Sequence, residues 1–195
     1  YHGPQGIKKI AESVSQLTKN FADKLKQSGY ELYSNDFFDT VTIKTLDKTE
    51  KIYKNALDQG VNIRKVNSEM LAVSFDERKN LYRANQLLKI FNCSETIKES
   101  MNESLSNIPK NLLRTSTYLD HPVFNKYHSE TEMLRYLKKL EDSDIALNKS
   151  MIALGSCTMK LNEVSEMIQV TWKEFSKPHP FSPVGQGDGY IDLFT

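Results

Sequence analysis

The chain has 195 residues, which is enough for one ordinary domain or for one compact domain and part of a second. Hydrophobic residues make up 38% and charged residues 26% of the chain, a composition that is typical of folded globular proteins and argues against intrinsic disorder. The 26 basic and 25 acidic side chains leave a net charge of +1 without any single-sign block, which disfavours nucleic acid as a partner. No apolar run approaches the roughly 20 residues that a membrane-spanning helix needs.

The first half of the chain carries the patterns of a small mixed domain. Residues 5–28 repeat apolar side chains at helical spacing, between Pro4 and Gly29, and predict a helix. Residues 37–43 are aromatic and β-branched and predict a strand. Asp47 with Glu50 predicts a capping box for a short helix that ends at Gly60.

Two strands and a helix follow in the same domain. Residues 61–66 and 71–75 predict a pair of strands that a turn near Asn67 connects, and residues 78–91 predict another helix. The order helix, strand, helix, strand, strand, helix predicts an α+β domain over residues 1–92, with helices on a small, largely antiparallel sheet.

The second half shows fewer strand signals. Ser94 is a candidate cap for a short helix with Ile97 and Met101, and the proline-containing stretch within residues 93–128 predicts a linker or arm. Residues 129–195 are predicted to be mainly helical. They include a capping box at Ser129 and Glu132, and a last helix that runs from Val164 to Phe175.

Two apolar stripes on these helices, Leu134 with Leu137 and Ile168 with Trp172, are expected to be exposed when their partner surface is absent. Isolated, such a piece is expected to self-associate. The chain begins at Tyr1 without a methionine, and both of its ends are interpreted as internal to a longer protein.

The cysteines and histidines do not predict a metal site or a disulfide framework. Cys93 and Cys157 are far apart, no C-x-x-C pair is present, and the four histidines are scattered. Two cysteines that form no disulfide framework indicate a reducing compartment.

The segment with the most chemical groups is residues 155–162, which read GSCTMKLN. A turn of this kind before a helix can hold an anion on backbone N–H groups, but Met159 before Lys160 does not fit a nucleotide phosphate loop. A helix-capping turn with a packed Cys157 explains the same residues. Cys157 as a nucleophile would need a histidine such as His128 or His179 nearby, and Lys160 as a covalent cofactor ligand is a further alternative.

Residues 127–132 place an imidazole and two carboxylates beside a helix start. General acid–base chemistry is one interpretation of His128. For Glu132 the favoured interpretation is a structural one, in which an acidic residue caps the helix and interacts with its dipole.

Taken together, these segments resemble the glycine cleavage system P-protein family. The resemblance covers the chain in order, and its specific part runs from Arg114 to Asn162. The motifs that carry it read YHGP at 1–4, FFDT at 37–40, RTS at 114–116, HPVFN at 121–125, YHSETEMLRY at 127–136, LGSCTMKLN at 154–162, WKEF at 172–175 and HPF at 179–181.

This resemblance implies an enzyme in which pyridoxal phosphate acts as the electron sink while glycine loses CO2. The aminomethyl group then passes to the lipoyl group of H-protein. The implied fold is the small C-terminal-type domain of a type I pyridoxal-phosphate fold, followed by a helical connector and the start of a second such half. The implied compartment is the cytoplasm in a bacterium or the mitochondrial matrix in a eukaryote, and the remaining P-protein domains are the implied partners.

The resemblance also implies which residues line the cofactor and substrate pocket or the lipoyl channel. They are His128, Ser129, Glu130, Gly155, Ser156, Cys157, Thr158 and Lys160. The family's covalent lysine lies in a His-Lys pair, which this chain lacks, so Lys160 does not inherit that role and the fragment is expected to be inactive alone. The family's proline before the LGSCT motif is Ala153 here, which relaxes the approach to that turn.

A different class of function is also consistent with the residues. The chain can be a stand-alone, non-catalytic module that binds a partner enzyme or a lipoylated protein. The reading frame beyond Thr195 distinguishes this alternative from a segment of an enzyme.

Overall fold

The computed structural model of the chain describes residues 1–78, 81–98, 108–146, 148–149 and 164–195. These residues form two compact units, one of residues 1–139 and one of residues 140–195. The predicted boundaries after residues 92 and 128 concern the layout of a complete protein and stay a prediction. Among the described residues, no helix is both long and apolar enough to cross a bilayer.

The described residues of the first unit form one long helix, a small sheet, two shorter helices, and an arm (residues 108–129) that leads into a further helix. Its helices and strands are α1 (Gly3–Gln27), β1 (Glu31–Leu32), β2 (Thr40–Lys44), α2 (Thr49–Asp58), β3 (Arg64–Lys65), β4 (Met70–Ser74), α3 (Leu81–Ile90) and α4 (Glu130–Glu141). Short 3₁₀ turns lie at Leu46–Lys48, Lys110–Leu112 and Pro122–Asn125.

The four strands form one sheet in the order β1-β2-β4-β3, and every neighbouring pair is antiparallel. In the central pair, Val41 lies opposite Val73 and Ile43 lies opposite Leu71, and all four side chains are buried. The predicted α+β class with a small antiparallel sheet is therefore confirmed. The strand β1 was not predicted, because two residues are too few to show an alternating pattern.

The core lies between the sheet and the three helices α1, α2 and α3. Phe21 of α1 is fully buried, and its ring meets Phe75 and Phe91 edge to face at centroid distances of 5.1 and 6.3 Å. Such aromatic pairs add to the free energy that their buried area already supplies. Leu25 and Leu88 are also fully buried in the same cluster.

The capping box predicted at Asp47 and Glu50 is wrong. The chain leaves β2 through a 3₁₀ turn that contains Leu46 at φ +52°, and α2 begins one residue before Glu50, without any side-chain cap. The Thr45 and Thr49 hydroxyls hydrogen-bond each other instead, at 2.6 Å. Glu50 faces β3 and pairs with Lys65.

The short helix predicted after Ser94 is also wrong within residues 94–98, while Met101 lies outside the described residues. Ile97 is instead held in the core by the side-chain amide of Asn85. The Asn85 Oδ1 accepts the Ile97 N–H at 2.7 Å, and Nδ2 donates to the Ile97 carbonyl at 3.1 Å. Since these bonds satisfy both backbone groups of Ile97, the segment needs no helix to bury it.

From residue 164 onwards, the described part of the second unit forms three short helices, α5 (Val164–Ile168), α6 (Lys173–Ser176) and α7 (Asp188–Phe194). The single helix predicted from Val164 to Phe175 is wrong, because Trp172 is extended with ψ 144°. The Thr171 hydroxyl donates to the Ile168 carbonyl at 2.7 Å, a local bond that competes with helical bonding. As expected, Ile168 and Trp172 are exposed.

We expect the change Phe21→Ala to lower the free energy of unfolding of the chain by about 3–5 kcal/mol, because it removes a fully buried ring from the core. Urea unfolding followed by circular dichroism measures the loss. The control is Tyr82→Ala on α3, where the side chain is 72% exposed and the change should stay within about 0.5 kcal/mol. Equal losses in both variants would contradict this description of the core.

Candidate functional site

The predicted site residues that the structure describes lie where the first turn of α1 meets the arm. The Tyr118 hydroxyl donates a 2.8 Å hydrogen bond to the Pro4 carbonyl. Ten residues further along the chain, His128 Nδ1 lies 2.5 Å from the Tyr1 carbonyl oxygen. These two bonds bring together segments that are more than 100 residues apart in sequence.

Gly3 lies between these two bonds and makes the close approach possible. It is buried and has φ +65°, a conformation that side chains disfavour. A Cβ atom at this position would lie 2.9 Å from the Phe124 carbonyl oxygen and 3.3 Å from His128 Cε1. The motif of residues 1–4, which carries no chemical signal by itself in the sequence, is therefore a contact surface for the arm.

The His128 side chain is exposed, so the rest of its ring is open to a ligand or to another surface. The ring edge with Nδ1 and Cε1 faces Tyr1 and Gly3. Glu130 follows in the first turn of α4 and is exposed as well. Neither residue takes part in a core, which leaves both available for chemistry at this surface.

The capping box predicted at Ser129 and Glu132 is confirmed. The Ser129 hydroxyl accepts the Glu132 N–H at 3.3 Å and donates to the Glu132 carboxylate at 3.0 Å, while the Ser129 N–H donates to the same carboxylate at 3.3 Å. The Ser129 hydroxyl bond and then its backbone bond hold the pKa of Glu132 below its usual value. The hydroxyl of Ser129 is therefore already engaged in starting α4.

A stacked aromatic pair supports the same helix start. The rings of Tyr127 and Tyr136 lie 4.2 Å apart and within 12° of parallel. The pair links the residue before His128 to the second turn of α4, so it restricts how the segment from Tyr127 to Ser129 can turn. The sequence analysis predicted neither the Tyr118 bond nor this stack. Tyr127 and Tyr136 lie within a recognisable motif, and Tyr118 lies two residues after another.

Gly155, Ser156, Cys157, Thr158 and Lys160 lie outside the described residues. Their predicted place in a pocket, and a pairing of Cys157 with His128 or His179, stay predictions.

The other cysteine, Cys93, is buried in the core of the first unit. Burial raises the pKa of its thiol, which makes it a poor nucleophile. Within the part of the chain that the structure describes, no three metal-binding side chains are grouped closely enough to hold an ion.

Comparison with known proteins identifies the family. Residues 1–91 match the family model "Glycine cleavage system P-protein". Over all of its 195 residues, the chain is 94% identical to "Glycine dehydrogenase (decarboxylating)" of Pelagibacter ubique (strain HTCC1062). It is 48% identical over its whole length to the protein of the same name in Aliivibrio fischeri (strain MJ11). Residues 1–91 belong to the glycine cleavage system P-protein family.

The chain spans about a fifth of the length of these curated relatives, 20% of the Pelagibacter protein and 21% of the Aliivibrio protein. The family model covers the sheet and the helices α1, α2 and α3, and its match ends one residue after α3. The match to the relatives continues through the arm, α4 and the second unit. The contact between residues 1–4 and His128 therefore joins the part that the family model covers to a part that only the relatives cover.

We expect Ser129→Ala to destabilise the start of α4 by about 1 kcal/mol, because the hydroxyl is the helix cap. Amide hydrogen exchange of residues 130–134 measures the loss. Ser129→Asn is the matched control, since asparagine is an equally good cap. Equal exchange in both variants would show that the hydroxyl does not stabilise the helix.

The same cap should depend on pH. Since hydrogen bonds to the carboxylate lower the pKa of Glu132, its contribution is present above the usual glutamate pKa and is lost as the pH falls through the lowered value. The exchange protection of α4 should fall over that window. Glu132→Gln should remove this dependence, because a glutamine caps without titrating. A protection that falls equally in both proteins would contradict the assignment.

Proposed function

We propose that this chain is part of a pyridoxal-phosphate-dependent glycine decarboxylase that passes an aminomethyl group to the lipoyl group of H-protein. The observation that carries the proposal is the identity of 94% to a protein named glycine dehydrogenase (decarboxylating), over every residue of the chain. The name "Glycine cleavage system P-protein" of the matching family supports the same reaction. The cofactor, glycine and lipoylated H-protein are proposed as the complete enzyme's ligands and partner.

The described residues fit part of a pyridoxal phosphate site. Such a site needs a covalent lysine, donors for the phosphate, and groups that contact the ring or the bound amino acid. His128 suits the last task, since its ring is exposed while one edge is held by Tyr1. Ser129 suits a phosphate less well, because its hydroxyl already bonds Glu132.

When bound, pyridoxal phosphate withdraws the electron pair that glycine releases as CO2 leaves. The residues of this chain would line the pocket around it. In this proposal His128 contributes a fixed imidazole and Glu130 contributes a carboxylate beside the helix start, where the dipole favours a negative charge. Gly155, Ser156, Cys157, Thr158 and Lys160 are proposed to complete this wall or to line the lipoyl channel.

The fold of the first unit is compatible with the domain layout that this function implies. We propose that the sheet and its helices are the small domain of a type I pyridoxal-phosphate fold, and that the arm and α4 lead into a second half. Leu134 and Leu137 of α4 are 59% and 52% exposed, which suits a surface that further P-protein domains cover. Both relatives named above are bacterial, and for a bacterial source we propose the cytoplasm as the compartment.

The chain by itself should not bind the cofactor covalently, because it lacks the His-Lys pair of the family. Mixed with pyridoxal phosphate and then dialysed, it should lose the absorbance of a lysine-linked cofactor. A band that survives dialysis would contradict the proposal. It would favour Lys160 or another lysine of this chain as the covalent ligand.

In the full-length enzyme, we expect His128→Asn to lower the rate of glycine-dependent CO2 release with lipoylated H-protein at least tenfold. The reason is the loss of an imidazole from the pocket wall. His121→Asn is the matched control, since an asparagine Oδ1 can still accept the Val123 N–H that His121 Nδ1 accepts. A full rate in the His128 variant would remove His128 from the site.

A further inference from the structure

We propose that the Tyr1 carbonyl, just before the first turn of α1, sets the tautomer of His128, so that Nδ1 carries the hydrogen and Nε2 is presented as a hydrogen-bond acceptor. In this proposal Gly3 is the positioning residue that lets the turn come close enough. The consequence for catalysis rests on the proposed function, in which His128 lines the pocket. The tautomer itself does not depend on that function.

The hydrogen bond to Tyr1 decides the tautomer. The Tyr1 oxygen is a backbone carbonyl, which can only accept, so His128 Nδ1 at 2.5 Å must be the donor. A neutral imidazole carries one hydrogen, and its other nitrogen then keeps a lone pair. His128 Nε2 is therefore an acceptor, able to bind an amine or hydroxyl hydrogen of a substrate or cofactor.

Two other histidines of the chain have the opposite arrangement. His121 Nδ1 accepts the Val123 N–H at 3.1 Å, and His179 Nδ1 accepts the Phe181 N–H at 3.1 Å. Each of these histidines precedes a proline, and the bond closes a local turn two residues long. In their neutral forms both must carry the hydrogen on Nε2. His128 thus differs from them because its partner is a carbonyl from a distant segment.

Gly3 makes this distant contact possible. A Cβ atom there would lie 2.9 Å from the Phe124 carbonyl oxygen and 3.3 Å from His128 Cε1. The first contact is with backbone, so it cannot be relieved by rotating a side chain. A larger residue must therefore push the first turn of α1 away from the arm, and His128 Nδ1 would lose its acceptor.

The Tyr118 hydroxyl holds the other side of the same turn. It donates to the Pro4 carbonyl at 2.8 Å, so bonds from the arm reach the residues on both sides of the His2-Gly3 dipeptide. With both bonds in place, the His128 ring keeps one orientation before any ligand arrives. Such preorganisation reduces the entropy that binding must otherwise cost.

The direct test is the imidazole tautomer in the ¹⁵N-labelled chain, at a pH where the histidines are neutral. Long-range ¹H–¹⁵N correlation spectra distinguish a protonated Nδ1 from a protonated Nε2, and single His→Gln variants assign the signals. We expect the Nδ1–H form for His128 and the Nε2–H form for His121 and His179. An Nε2–H form of His128 would overturn the proposal without any variant of Gly3.

The positioning role is tested by Gly3→Ala. We expect the His128 signals to move towards the Nε2–H form, while those of His121 and His179 stay unchanged. Gly60→Ala is the matched control, because Gly60 has φ +68° but no atom within 4 Å of an added Cβ. It carries the same backbone strain without the contact. An unchanged His128 tautomer in folded Gly3→Ala would overturn the role of Gly3.

If circular dichroism shows that Gly3→Ala does not fold, Tyr118→Phe replaces it. That change removes only the bond to the Pro4 carbonyl and should shift the His128 tautomer in the same direction by a smaller amount. No shift in Tyr118→Phe would then count against the proposal.

The full-length enzyme separates this proposal from the proposed function. If the unchanged protein shows the predicted Nδ1–H tautomer of His128 and the His128→Asn enzyme keeps a full rate, the positioning proposal stands and His128 is removed from the pocket. If His128→Asn slows the enzyme but the unchanged protein shows an Nε2–H tautomer of His128, the pocket role stands and the positioning proposal is overturned.

Discussion

The packing of α1 on the sheet is the constraint on which the rest of the first unit depends. A helix of 25 residues is about 37 Å long, and here its buried side chains are concentrated between Val14 and Leu25. Phe21 holds this part through its contacts with Phe75 and Phe91. Because an α-helix transmits position along its axis, the core fixes where the first turn lies. That turn carries the Pro4 carbonyl that Tyr118 binds, and the Tyr1 carbonyl that His128 binds lies just before it.

The arm depends on α1 because it has little regular structure of its own. Between Leu113 and His128 its only regular element in the structure is the 3₁₀ turn at Pro122–Asn125. Its position comes from side-chain bonds to two backbone carbonyls, that of Tyr1 just before α1 and that of Pro4 in its first turn, and these bonds do not depend on the identity of either side chain. What this contact does require is the absence of a side chain at Gly3. At this contact, the missing side chain of Gly3 gives the specificity that a polar pair of side chains gives at other interfaces.

Several apolar side chains outside the core are exposed, on α4 and in the second unit. Leu134, Leu137 and Leu140 recur on α4 at spacings of three residues and are exposed. In the second unit Phe181 and Phe194 are exposed as well. Exposed apolar surfaces of this kind are typical of places where another protein surface packs. They support the proposal that the arm and the helices after it belong to a larger P-protein assembly.

The sequence by itself determined the elements whose signals are local. The helical spacing before Gly29, the strand pair on either side of Asn67 and the capping box at Ser129 and Glu132 each involve residues within a few positions of one another, so their hydrogen bonds follow from spacing. The ordered motifs also determined the family. Where a competing partner came from elsewhere in the chain, the local signal failed, as at Glu50, which pairs with Lys65.

Only the tertiary structure decided the rest. The helix expected after Ser94 gave way to a core position for Ile97, because Asn85 satisfies its backbone. The bond from His128 to Tyr1 joins residues that are 127 positions apart, and no periodicity encodes such a contact. Sequence spacing reports hydrogen bonds along one element, whereas the tautomer and orientation of His128 depend on which distant backbone the core brings beside it.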